Sequence, residues 1–162
     1  MKKFICLIVL SVLFRVGHAQ ISGVKTIPGD YPSIRSAITA LNTSGVGSGG
    51  VTFNVAAGYA ETFNSLTAGL ITATGTASNP IIFQKSGSGS NPIITAATPG
   101  VGTTDYVICL AGSDYVTFDG INIVENPLNT TATQMMERGF ALLKNSGTDG
   151  CQYVTIKNCT IR

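Results

Sequence analysis

The sequence predicts an all-β solenoid, a stack of short parallel coils closed at its N-terminal end by one helix. Three observations predict it. The phrase YVTFDGINIV, starting at Tyr115, returns 38 residues later as YVTIKNCTI, starting at Tyr153. Apart from one helical stretch, the chain is short Thr/Val/Ile-rich runs separated by Gly, Asn and Pro clusters, which is strand and turn composition. That one stretch, from Tyr31, stands ahead of all the recognisable strands.

In the repeat, Val116, Phe118, Ile121 and Ile123 match Val154, Ile156, Cys159 and Ile161. Asp119-Gly120 matches Lys157-Asn158 as a two-residue corner between strands. A unit that returns with its inward apolar residues in phase is a coil of a solenoid. Val116 should therefore stack over Val154, and Asn158 should hydrogen-bond the neighbouring turn. A β-sandwich would instead give antiparallel pairing without such stacking.

The helix is expected over about 31–42. Ile34, Ala37, Ile38 and Leu41 fall at i, i+3, i+4 and i+7, one face of a helix. Asp30 or Ser33 could cap it, with Pro32 in its first turn. Next comes Gly45-Val-Gly-Ser-Gly-Gly50. It fits G-x-G-x-x-G, but a dinucleotide fingerprint follows a strand and opens a helix. Here the order is reversed, so the segment reads as a flexible loop before a strand from Val51. Ser78-Asn-Pro-Ile-Ile and Ser90-Asn-Pro-Ile-Ile each read as a turn opening a strand. Further strands are expected at 106–110, 115–118, 121–124, 140–143, 153–156 and 159–161, with a loop excursion from Asn126 to Arg138.

Residues 1–19 read as a secretory signal peptide cleaved near Ala19-Gln20. Met1-Lys2-Lys3 is positive, Phe4 to Phe14 is apolar apart from Ser11, and Gly17 and Ala19 are small. This is the signal layout, and the run is short of the ~20 apolar residues that span a membrane. The expected localisation is secreted or cell-surface. The expected domain plan is 1–19 signal, 20–50 N-terminal cap and 51–162 the first coils.

Losing Lys2, Lys3 and Arg15 takes the ten basic residues to seven, against eight acidic ones. No basic face then argues for nucleic acid or an anionic membrane. The single histidine, His18, leaves too, so the rest of the chain holds no Ser/His/Asp triad, Cys/His pair or histidine metal site. Of the four cysteines, Cys109, Cys151 and Cys159 remain. Export permits a disulfide, yet the odd number leaves a free thiol, and Cys159 reads better as a small core residue.

The segments IPGDYPSIRSAITALN, GGVTFNVAAGYAET, NPIIFQKSGSGSNPIITA and the paired YVTFDGINI and YVTIKNCTI together resemble the N-terminal portion of a right-handed parallel β-helix of the pectin-lyase-like superfamily. The SNP turns are also similar to large surface proteins exported by Bacteroidetes-type bacteria. Within the superfamily, Ile121-Asn-Ile-Val-Glu-Asn126 and Gly139-Phe-Ala-Leu-Leu143 resemble pectinesterases. That resemblance implies a catalytic glutamine just before the second segment, where this chain has Arg138-Gly139 and only Gln134 nearby. A pectate-lyase-like site would call for clustered aspartates holding Ca2+ and a basic residue. The sequence assembles neither set, so no catalytic residue, metal ligand or cofactor carries over.

Asp114, Asp119, Glu125 and Asp149 are the candidate binding residues. Asp119 and Glu125 flank one strand and could face one groove; Asp114 and Asp149 occupy equivalent turns and could stack. Ordinary turn chemistry accounts for the same residues. Tyr59, Phe63, Tyr106 and Tyr115 could stack on sugars or pack in the core. Asn42, Asn129 and Asn158 fit N-x-[ST]. The expectation is an exported β-helix that binds or displays toward polysaccharide, leaning against catalysis in these residues. The alternatives are part of a pectate-lyase-like or pectinesterase-like enzyme with its catalytic residues beyond Arg162, and a structural spacer or adhesin stalk. An open coil at Arg162 reads as a truncated solenoid, which would self-associate if the chain ends there.

Overall fold

A computed structural model describes residues 19–98 and 105–162. Most of the expected signal peptide, residues 1–18, lies outside the described residues. The elements run β1 (Ile21–Ile27), α1 (Ile34–Ser44), β2 (Val46–Ala56), β3 (Ala60–Thr62), β4 (Leu70–Ile71), β5 (Ile81–Ser86), β6 (Ile93–Thr95), β7 (Tyr106–Ala111), β8 (Val116–Asp119), β9 (Asn122–Val124), β10 (Arg138–Leu143) and β11 (Thr155–Lys157). They form three parallel sheets, ordered β1-β2-β5-β8-β11, β3-β6-β9 and β10-β7-β4. From β2 on, each circuit visits the three sheets in turn, while α1 takes the place of the other two sheets between β1 and β2; the protein is a parallel β-solenoid of about four turns.

The coils are held in phase by their inward residues. Phe53 pairs with Phe83, Phe83 with Phe118, and Phe118 with Ile156. The three rings stack at 4.5 Å and 5.1 Å between centroids, and all three are fully buried. Tyr31 and Phe140 close the column edge-on against Phe53 and Phe118. Each buried aromatic contributes about 1.5–3 kcal/mol by leaving water. Val51, Ile81 and Val116 form a second internal column.

The expected repeat is present in register. Thr117 pairs with Thr155 and Asp119 with Lys157, and Ile123 bridges Ile161. The two SNP phrases each open a strand, β5 and β6, but on different sheets. They mark two corners of one coil, and their spacing is not the stacking period.

Helix α1 buries Ile34, Ala37, Ile38 and Leu41, the stripe read from the sequence. It starts three residues later than expected. Ser33 is the N-cap, in a reciprocal capping box with Ser36, so Pro32 lies before the cap and outside the helix. The coil grips both helix ends. Glu61 of β3 accepts from the N–H groups of Ile34 at 2.7 Å and Arg35 at 3.3 Å. Asn42 donates to Leu70 O at 2.7 Å and accepts from Thr72 N at 2.9 Å.

The glycine-rich segment is not a loop. It is the first part of β2, with an irregularity where Ile21 faces Val46 but Gly23 already faces Val51. The expectation failed because the partner strand, β1, was not recognised. Once β1 exists, the segment has an edge to pair with. Gly50 is required there: its φ is +77°, and a Cβ would fall 2.5 Å from Pro80 O.

Candidate functional site

All four candidate acids are engaged in holding the chain to itself. Asp114 Oδ1 accepts from Gln152 N at 2.6 Å, one coil on. It is therefore Gln152, not Asp149, that follows Asp114 in register. Asp149 instead sits in its own turn, accepting from Asn145 Nδ2 at 3.2 Å and lying against Gly112. Asp119 accepts from Asn158 Nδ2 at 2.7 Å and pairs with Lys157 at 3.3 Å. The Asn158 bond and the Lys157 charge hold its carboxyl below the usual range. Asn158 thus makes the bond to the neighbouring turn that the sequence suggested.

Glu125 does a different job. Its Oε1 accepts from Asn126 N at 2.7 Å and Asn129 Nδ2 at 2.9 Å, while Oε2 takes Met136 N. One carboxylate therefore pins both ends of the excursion between β9 and β10. Asn126 and Asn129 tie that loop down further, donating to Ala96 O at 2.9 Å and Ala97 O at 3.1 Å of the preceding coil. Asp105, nearly buried, receives Glu137 N at 3.2 Å. The neighbouring Asp105 carboxyl pushes the Glu137 carboxyl above its ordinary range by hydrogen bonding and repulsion. Asp119 and Glu125 share no partner, so the structure does not unite them in one groove.

The loop is where the exposed uncharged groups gather. Leu128 is 74% and Met135 45% exposed, and Thr130, Thr131 and Thr133 are exposed beside them. Met136 turns back to pack on the core. Sequence reading located the excursion but missed its anchors, Asn126, Asn129 and Asp105. Only the Asn-rich phrase itself hinted at side chains bridging backbone.

The aromatic candidates divide. Phe63 is core. Tyr59 is half-buried, and its hydroxyl donates to Pro32 O at 3.4 Å and Glu61 Oε2 at 3.3 Å; burial first, then Glu61, pushes its pKa to about 12. Tyr106 is half-buried, and burial raises its pKa. Tyr115 stacks on Tyr153 at 4.3 Å and 17°. A parallel ring stack occupies the shared faces, and a sugar would need a ring face. The free face of this pair therefore belongs to Tyr153, which is 67% exposed. Two of the N-x-[ST] asparagines are structural: Asn42 is locked to β4, and Asn129 is 4% exposed.

Cys109 is buried, and Cys151 and Cys159 are half-buried; all three are free thiols. Burial raises the Cys109 pKa. Cys159 packs on the core as a small apolar residue. Cys151 Sγ donates to Leu110 O at 3.2 Å. One coil earlier, Ser113 Oγ donates to Ile71 O at 2.9 Å. Ile71 and Leu110 are register partners, so this is one bond repeated. Among the described residues, no group of three or more His, Cys, Asp or Glu side chains could hold a metal, no pocket opens in the surface, and no helix is long and apolar enough to cross a membrane.

Compared with protein-family models, curated proteins and solved structures, the chain matches none.

Proposed function

We propose that this protein is an exported, pectin-lyase-like β-helix that binds or displays toward polysaccharide at the cell surface and is not itself the catalyst. One observation carries the reading. The candidate acids are spent on hydrogen bonds between coils and within turns and the excursion, while that tightly anchored excursion presents Leu128, Met135 and a threonine cluster, with no charge between Asn126 and Met136. Loops on a rigid scaffold are the usual seat of binding. Apolar and hydroxyl groups together suit the carbon-bound faces and hydroxyl edges of sugars. The signal-like N-terminus supplies the route of export.

The test is a glycan array probed with the intact chain and with the Leu128→Asp/Met135→Asp variant. Binding confined to a few glycans and lost in the variant is the expected result. No binding to any glycan would overturn the reading in favour of a spacer. Release of unsaturated oligosaccharide or methanol from a bound glycan would overturn its non-catalytic part. N-terminal sequencing of exported protein should begin at Gln20.

A further inference from the structure

Strand β1 opens the largest sheet and, among the described residues, has one neighbour, β2. In a parallel ladder, alternate residues turn their N–H and C=O to opposite sides, so half of the β1 groups face away from β2. At Thr26 they are already taken. The Thr26 N–H donates to Asp30 Oδ2 at 2.8 Å, and Thr26 O accepts from Tyr31 N at 3.1 Å. Thr26 Oγ1 donates to the same Asp30 Oδ2 at 2.9 Å and accepts from Asp30 N at 3.1 Å. Residues 28–31 thus fold back on the edge they leave. Sequence reading assigned Asp30 to the helix as an alternative cap; the structure spends it on β1. The strand carries an apolar residue, Val24, that is 64% exposed, and an open edge of this kind pairs with other strands unless it is blocked.

We propose that the turn at 28–31 is an edge latch, which keeps β1 from pairing antiparallel with β1 of a second copy and which opens when Asp30 is protonated. The second copy is the partner the strand itself fits. Pairing centred on Val24 sets Val24 against Val24, Lys25 against Gly23 and Ile21 against Ile27. The one charge in β1 then meets no like charge, and a twofold contact closes at two copies. Seven residues make a small interface, so the contact is weak and is read at high protein concentration.

The groups acting on Asp30 are few. The Thr26 hydrogen bonds, with Lys25 adding its charge, hold the carboxyl below its ordinary range. Tyr31 in the turn has its phenol raised, by burial and by Asp30. On the neighbouring elements the charged groups include Arg35 in α1 and Glu61 in β3, and Glu61 is engaged with the helix. A depressed acid stabilises the closed latch above its unfolded-state pKa and stops doing so as pH falls through the folded value.

Sedimentation velocity of the full chain, from neutral pH to about pH 2, tests this with three variants. The wild-type protein should double in mass on acidification. Asp30→Ala should already be doubled at neutral pH. Asp30→Asn keeps an acceptor but gains no proton, so its mass should not change with acid. Adding Val24→Asp to Asp30→Ala should undo the doubling. An Asp30→Ala protein of wild-type mass at neutral pH, or an Asp30→Asn protein that doubles in acid as the wild type does, would overturn the latch. If Asp30→Ala does not fold, the comparison of Asp30→Asn with wild type decides alone.

Discussion

Asn158 stands one coil beyond Gly120 and takes the same left-handed backbone, with φ values of +55° and +69°, while its amide reaches back to Asp119 at 2.7 Å. One residue therefore makes both the corner and the link between coils. Asparagine tolerates this conformation better than most residues because its short polar side chain can bond locally. Asn158→Ala should lose the bond and strain the corner, about 2 kcal/mol in all by the usual size of each effect. Asn158→Gly should lose only the bond, about 1 kcal/mol. Urea melts of the two variants check the order; equal losses would mean the backbone conformation carries no cost.

The Asp119 end of that link sets a pH dependence. Its folded pKa is lowered, first by Asn158 and then by Lys157. Its contribution is therefore present above the unfolded value of 3.8 and is lost as pH falls through the lower folded one. Asp119→Asn should flatten the acid limb of the stability curve, measured by urea melts from about pH 6 to about pH 3, against an otherwise unchanged profile.

Phe83 sits between Phe53 and Phe118 with no exposed surface. Phe83→Ala should cost about 3–5 kcal/mol. The register partner at the far end of the column, Ile156, is 38% exposed, so Ile156→Ala should cost much less. Comparable losses in chemical melts would contradict the burial gradient along the stack.

Glu61 holds the α1 N-terminus by two backbone N–H groups. Glu61→Ala removes a charged acceptor from a helix start, and about 1–2 kcal/mol should go with it. Amide hydrogen exchange should show faster opening at Ile34 and Arg35, with little change in β8. Uniform acceleration across the protein would mean the helix and the coils open as one unit.

The repeated side-chain bond makes Cys151 exchangeable. Cys151→Ser should be tolerated, because Ser113 makes the same contact with the preceding strand. Cys151→Val should cost about 1 kcal/mol, the worth of one hydrogen bond. Thiol labelling of the folded wild-type protein should reach Cys151 and Cys159 before Cys109, whose thiol is buried and raised in pKa.

The sequence by itself determined the solenoid, the helical stripe and the in-phase return of Val116, Phe118 and Ile123. A slip of one residue would turn every inward side chain out, so the alternation of apolar residues fixes the register locally. It also located the excursion and the Asn158 corner. What it could not give were the partners of the polar side chains. Val51 pairs with Ile81, Ile81 with Val116, and Thr117 with Thr155, so successive coils take 30, 35 and 38 residues. The Asp114 and Asp119 bonds reach one coil away, across turns of unequal length that no fixed spacing encodes. That is why Asp149 could be read as the stacking partner of Asp114. It is also why β1 went unseen: a short strand with an exposed Val24 becomes legible only when β2 lies beside it. Tertiary structure alone decided that Asp114 and Asp119 fasten coil to coil and Glu61 fastens coil to helix, because only stacking brings these acids to Gln152, Asn158 and the α1 backbone.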